Sequence, residues 1–181
     1  MRFGIASILA LLGAVHLMAQ AEPLLPEGAP PEWGAEAGYG LSVHLNRGRS
    51  VEHLVLLEPW VGLRLGSRLQ YVVEAHLARY LTPGGYMVGL MPVGGRLSIG
   101  RGPTLPYVSI GAGLGWTNLE IEELDRRFNF LLQGSAGVRR PLSETDAFTL
   151  EARIVHISNG GTKSPNLGLN CLVLLAGWSF R

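Results

Sequence analysis

The sequence predicts an all-β fold, an eight-stranded antiparallel transmembrane β-barrel that follows a cleaved signal peptide. Three observations predict it. The first 21 residues read as an export signal. The rest is apolar and glycine-rich, yet holds no segment long enough for a membrane helix. And it divides into segments of about ten to fourteen residues that alternate in polarity between turn signals, near the roughly 9–11 residues of a tilted membrane strand.

The export signal comes first. Arg2 is the only charge before Glu22, and an apolar run from Phe3 to Met18 follows it. Ala19-Gln20-Ala21 then places small residues where a signal peptidase reads them. The competing reading, a spanning helix, wants roughly 20 apolar residues and no cleavage site. Cleavage before Glu22 divides the chain into residues 1–21 (signal), 22–33 (a Pro- and Ala-rich lead-in) and 34–181 (one barrel domain).

Removing the signal removes Arg2 from the 15 basic residues, so 14 basic residues face 14 acidic ones. A nucleic-acid partner would want a basic stripe, so this balance argues against one. Cys171 is the only cysteine, which excludes an internal disulfide. A closed ladder of backbone hydrogen bonds can hold the fold instead.

Eight candidate strands follow: Ala35–Leu45, His53–Leu65, Leu69–Tyr80, Tyr86–Ile99, Pro106–Trp116, Phe128–Arg140, Phe148–Ser158 and Gly168–Phe180. Turn signals separate them, among them Asn46-Arg47-Gly48, Gly66-Ser67, Thr82-Pro83-Gly84-Gly85 and Pro141-Leu142-Ser143. In the third strand, Leu69, Tyr71, Val73, Ala75, Leu77 and Arg79 share a mostly apolar face. Gln70, Val72, Glu74, His76, Ala78 and Tyr80 share a mixed one, as expected for lipid outside and a polar lumen inside. In the fifth, Ser109, Gly111, Gly113 and Gly115 fall on one face, where small side chains relieve a crowded interior. In the last, Leu172, Leu174, Ala176, Trp178 and Phe180 fall together, and the aromatic end suits a membrane girdle. A soluble lipocalin-like barrel is the alternative; it would bury this apolar face inside.

An even strand number puts both chain ends in the periplasm, with the longer connections outside. The charged stretch Thr117–Arg127 and the stretch Asn159–Leu167 are then extracellular.

P-loop, zinc-protease and nucleophile-elbow motifs are absent. His44, His53 and His76 are scattered without ligand spacing, so no metal site is expected and no cofactor is called for. Cys171 has lumen parity and reads as packing. One cluster carries chemistry, His156-Ile157-Ser158-Asn159-Gly160-Gly161, followed by Pro165-Asn166-Leu167-Gly168-Leu169-Asn170. On a strand His156 and Ser158 leave the same face, which can bring an imidazole beside a hydroxyl, as a serine nucleophile needs. Such pairs are common, and from spacing alone the bland reading, a loop-proximal His and Ser with no role, competes.

The string H-I-S-N-G-G-T-K-S-P-N-L-G-L-N resembles the C-terminal signature of the PagL-type lipid A 3-O-deacylases, outer-membrane barrels of acyloxyacyl-hydrolase type. Phe128-Asn129-Phe130 and Gly134-x-x-Gly137 are also similar to that family. The likeness is strong over residues 128–181 and general over 34–127. It implies a barrel in the bacterial outer membrane that hydrolyses an ester-linked acyl chain on lipid A, its partner lipopolysaccharide in the outer leaflet. His156 then matches the general base and Ser158 the nucleophile. Gly161 (backbone N–H) and Asn166 (side chain) match oxyanion donors, and Asn159 helps hold the loop. The family's acidic triad position falls on Asn170. An amide can orient a histidine but cannot stabilise an imidazolium by charge. Glu151 has the wrong parity to substitute, and the acids of Thr117–Arg127 reach over only if that loop folds back.

Asn170 shares the face of Leu172 and Leu174, so a site built on it opens toward lipid near the outer rim. The departure at Asn170 also keeps a second function open, a catalytically weak or inactive barrel with a structural or binding role. A homodimer is left open.

Overall fold

The computed structural model describes residues 30–43, 51–99, 102–121, 123–124, 127–162 and 167–181. The export signal, most of the lead-in and His44 lie outside them. Eight strands form: β1 (Glu32–Ser42), β2 (His53–Arg64), β3 (Leu69–Thr82), β4 (Gly85–Ser98), β5 (Leu105–Thr117), β6 (Phe128–Pro141), β7 (Ala147–Ser158) and β8 (Leu169–Phe180). Each pairs antiparallel with the next, and β8 returns to β1 to close the barrel. Closure leaves no free strand edge, the condition for crossing lipid with strands.

Seven strands start and end within two residues of the sequence expectation. The exception is β1, which starts three residues early and stops three early. Glu32 and Trp33, read as lead-in, pair with Gly62 and with Val61 and Phe180. The reason is electrostatic as well as geometric. Glu32 points into the lumen and accepts from Arg139 at 2.6 Å and from the Ser179 hydroxyl at 2.7 Å, so a charge that looked like a leader residue anchors the first strand.

The expected faces are in place. Leu172, Leu174, Trp178 and Phe180 are exposed on the outer wall, with Leu174 at 66%. Trp178 sits at the β6–β7 end, where its indole N–H donates to Asp146 at 3.2 Å. Hydrogen bonds from Ser143, Thr145 and that indole hold the Asp146 carboxyl below its ordinary range. Ser109, Gly111 and Gly115 face inward, and a Cβ on Gly111 would lie 2.9 Å from the Gln133 amide.

The interior is not uniformly polar as expected but has two tiers. In the half toward the β6–β7 turn, Arg153 is fully buried and contacts Glu58, Glu36 (3.0 Å), Glu74 (3.4 Å) and Glu151 (2.6 Å). Arg96 reaches Glu36 at 3.0 Å, and His76 reaches Glu58 at 2.9 Å. Toward the β7–β8 loop the lumen is apolar, filled by Leu54, Tyr80, Met87, Leu131, Ile157 and Leu169. A barrel of eight strands has room for side chains only, so nothing requires the upper tier to be wet. Cys171 packs in that tier.

Candidate active site on the outer wall

β7 and β8 pair in a register that sets His156 opposite Asn170. Both side chains leave the outer face, and both are half-buried among more exposed neighbours. Asn170 Oδ1 lies 2.9 Å from His156 Nδ1. An amide oxygen only accepts, so Nδ1 carries the proton and Nε2 keeps its lone pair. This is the tautomer a general base needs when its target is on the Nε2 side. Ser158 leaves the same face two residues on, at the end of β7.

The turn beyond β7 is built by Asn159. Its side chain is buried, and Oδ1 accepts from the Gly161 N–H at 2.9 Å. Its carbonyl accepts from the Thr162 hydroxyl at 2.9 Å. Gly160 and Gly161 take φ of 66° and 79°, which glycine adopts at little cost. Gly161, expected as an oxyanion donor, therefore has its N–H engaged by Asn159 here, and offers it to another acceptor only if the turn opens. Asn166 lies outside the described residues.

Two residues that shape the site are not evident from spacing. Gly168, at φ 71°, sits against the imidazole: a Cβ there would lie 2.8 Å from His156 Cε1. Its N–H donates to the Glu123 carbonyl at 3.3 Å. So the β5–β6 loop does fold back over the barrel end, through a backbone carbonyl, with Leu119 and Leu124 buried in the upper tier. The signal was present in Leu119, Ile121 and Leu124, three apolar residues in an otherwise polar loop. Glu151 is no partner for His156: it lies in the lumen, bonded to Tyr107 and Arg153.

Around the site the wall is apolar. Phe130 opposes Ser158, and Leu132 opposes His156. Phe128 stacks edge-on with Phe130, with ring centroids 6.3 Å apart. Ile154 and Leu172 continue the surface toward mid-barrel. A polar cluster of His, Ser and Asn thus meets an apolar surface suited to a hydrocarbon chain.

A closed eight-stranded barrel with an apolar outer wall and a filled interior defines the class: a small outer-membrane β-barrel of bacteria. The family model described as "Lipid A 3-O-deacylase (PagL)" matches residues 57–179. The chain belongs to that family. Its fold is similar to the crystal structure of the outer membrane enzyme PagL, with a TM-score of 0.63 at 18% identity, covering 81% of this chain and 97% of that one. It is also similar to Neisserial surface protein A, with a TM-score of 0.60 at 14% identity, covering 83% and 96%. No curated protein matches the chain.

Proposed function

We propose that this protein is an outer-membrane serine esterase that removes an ester-linked acyl chain from lipid A. The observation that carries the proposal is the His156 Nδ1–Asn170 Oδ1 contact of 2.9 Å, with Ser158 on the same outward face. His156 Nε2 takes the Ser158 proton as Oγ attacks the ester carbonyl. The tetrahedral oxyanion then collapses, and the sugar hydroxyl leaves with the proton returned by His156. Water, deprotonated by the same nitrogen, frees the fatty acid from the acyl-serine. Gly161 and Asn166 are the donors proposed for the oxyanion, Gly161 after release from Asn159. With both chain ends taken as periplasmic, as an even strand number argues, the site lies at the outer-leaflet end in this reading, and an acyl chain enters sideways along Phe130, Leu132 and Ile154.

The test is mass spectrometry of lipid A from cells with and without the protein. Loss of one acyl chain is expected with wild type. Ser158→Ala and His156→Ala should each abolish it while the barrel still migrates as a folded species on unheated gels. Retained deacylation in either variant removes that residue from the mechanism. A second reading, a non-catalytic barrel that binds or stabilises through its loops, is favoured by one observation: Asn170 is an amide where a charged partner would be stronger. Unchanged lipid A in cells carrying wild type supports it.

A further inference from the structure

The opposite end of the barrel carries a feature the deacylase reading does not use. Where the lumen opens at the β2–β3, β4–β5 and β6–β7 turns, a cavity of about 110 Å³ is lined by Arg64, Arg68, Arg96, Arg139 and Arg181. Glu32 is the only acidic residue among its lining. It is already shared by Arg139 at 2.6 Å and Arg181 at 3.3 Å. Arg64 and Arg68, both exposed at the rim, have no ion pair among the described residues. The lining therefore carries five guanidinium groups and one carboxylate, with Glu36 and Glu151 behind Arg96 at 3.0 and 4.0 Å.

Arg96 forms its floor. The side chain is 2% exposed, and its guanidinium is clasped between Trp60 (4.8 Å) and Tyr107 (4.7 Å). Nη2 donates to Glu36, but Nε and Nη1 have no hydrogen-bond partner among the described residues. Buried donors left unmade cost free energy, and donors on a cation more so. Nε–H and Nη1–H leave opposite edges of the guanidinium, so they do not form a fork, but each is a charged donor that can reach one oxygen of an oxyanion. Above Arg96 the ionic tier blocks the lumen, so the collar of arginines ends in a floor and not in a pore. Rings of arginine are the device by which membrane barrels and pores select anions such as phosphate.

We propose that this periplasmic vestibule is a binding site for a phosphate group, held by Arg96 at the floor and by Arg64 and Arg68 at the rim. The phosphate can come from solution or from the headgroup of an inner-leaflet phospholipid whose chains lie against the wall. The site is independent of the esterase reading.

The test uses the full barrel in phosphate-free maltoside micelles at constant ionic strength, with arginine Nε–Hε resonances read by NMR. Titration with inorganic phosphate replacing chloride should shift these resonances saturably. A parallel titration with short-chain phosphatidylglycerol separates the sources: saturation by the lipid at lower concentration assigns the headgroup, and saturation by phosphate alone assigns the solute. Arg64→Gln with Arg68→Gln, both outside the folded ion network, should weaken binding by about tenfold or more. No saturable shift with either ligand overturns the proposal, as does a double variant that binds like wild type.

Discussion

At the residue scale the site turns on Asn170. Its Oδ1 meets His156 Nδ1, as an aspartate would, but brings no charge to the imidazolium that the proposed mechanism forms when Ser158 gives up its proton. In a serine triad, replacing Asp by Asn costs about 10⁴ in rate, through the wrong tautomer. Here the amide oxygen is the atom that meets Nδ1, so the tautomer is right and only the charge is missing. Asn170→Glu should therefore raise the deacylation rate of purified protein in detergent, by less than that full factor; a lower rate would show that Asn170 holds a geometry a carboxylate cannot. Gly168 offers a second test. A methyl there would press on the imidazole at 2.8 Å and force a non-glycine residue into the left-handed region, at a cost of roughly 1–2 kcal/mol. If His156 is the base proposed above, Gly168→Ala should leave the barrel folded and lower kcat by at least about tenfold, because an ångström of displacement at a base is felt strongly. The pairing of His156 with Asn170 was legible from strand parity and from the family string. The role of Gly168 was not, since a glycine before a strand normally reads as punctuation.

At the element scale, alternation was the informative signal. It set the bounds of β2 to β8 nearly to the residue, because each strand buries one face in a packed lumen and a slip of one residue would reverse both faces. β1 was less legible. Its glycines and alanines blur the alternation, and its inward glutamate resembles a leader charge until Arg139 and Arg181 are seen to meet it. The outer face of β8 supplies the test at this scale. Leu174 is 66% exposed and paired with Tyr39 and Ala152 well inside the wall. Leu174→Arg should destabilise the barrel by about 2–4 kcal/mol, the cost of a lipid-facing arginine near the bilayer midplane, measured by reversible urea unfolding from vesicles. Leu175, its inward neighbour, is the control: a change there is read as packing and not as lipid exposure.

At the scale of the whole molecule, the filled interior is the dominant fact. Arg153 joins glutamates from β1, β2, β3 and β7, so a single side chain ties strands from opposite sides of the barrel. Removing one partner from a buried ionic network leaves uncompensated charge, at about 3–5 kcal/mol. Arg153→Met should lower the urea midpoint accordingly, and the loss should exceed that of Arg139→Met, whose side chain is 13% exposed at the mouth. Sequence showed that Glu74 and His76 face inward. It did not show that glutamates from β1, β2 and β3 converge with Glu151 on one arginine of β7, because pairing across a lumen depends on strand tilt and side-chain reach. The placement of His156, Ser158 and Asn170 on the wall has its own consequence. A molecule that reaches them travels within the plane of the membrane, and its effective concentration is a surface density. Dilution into more lipid lowers the encounter rate even when the amount in the tube is unchanged, whereas stirring the surrounding water leaves it as it was.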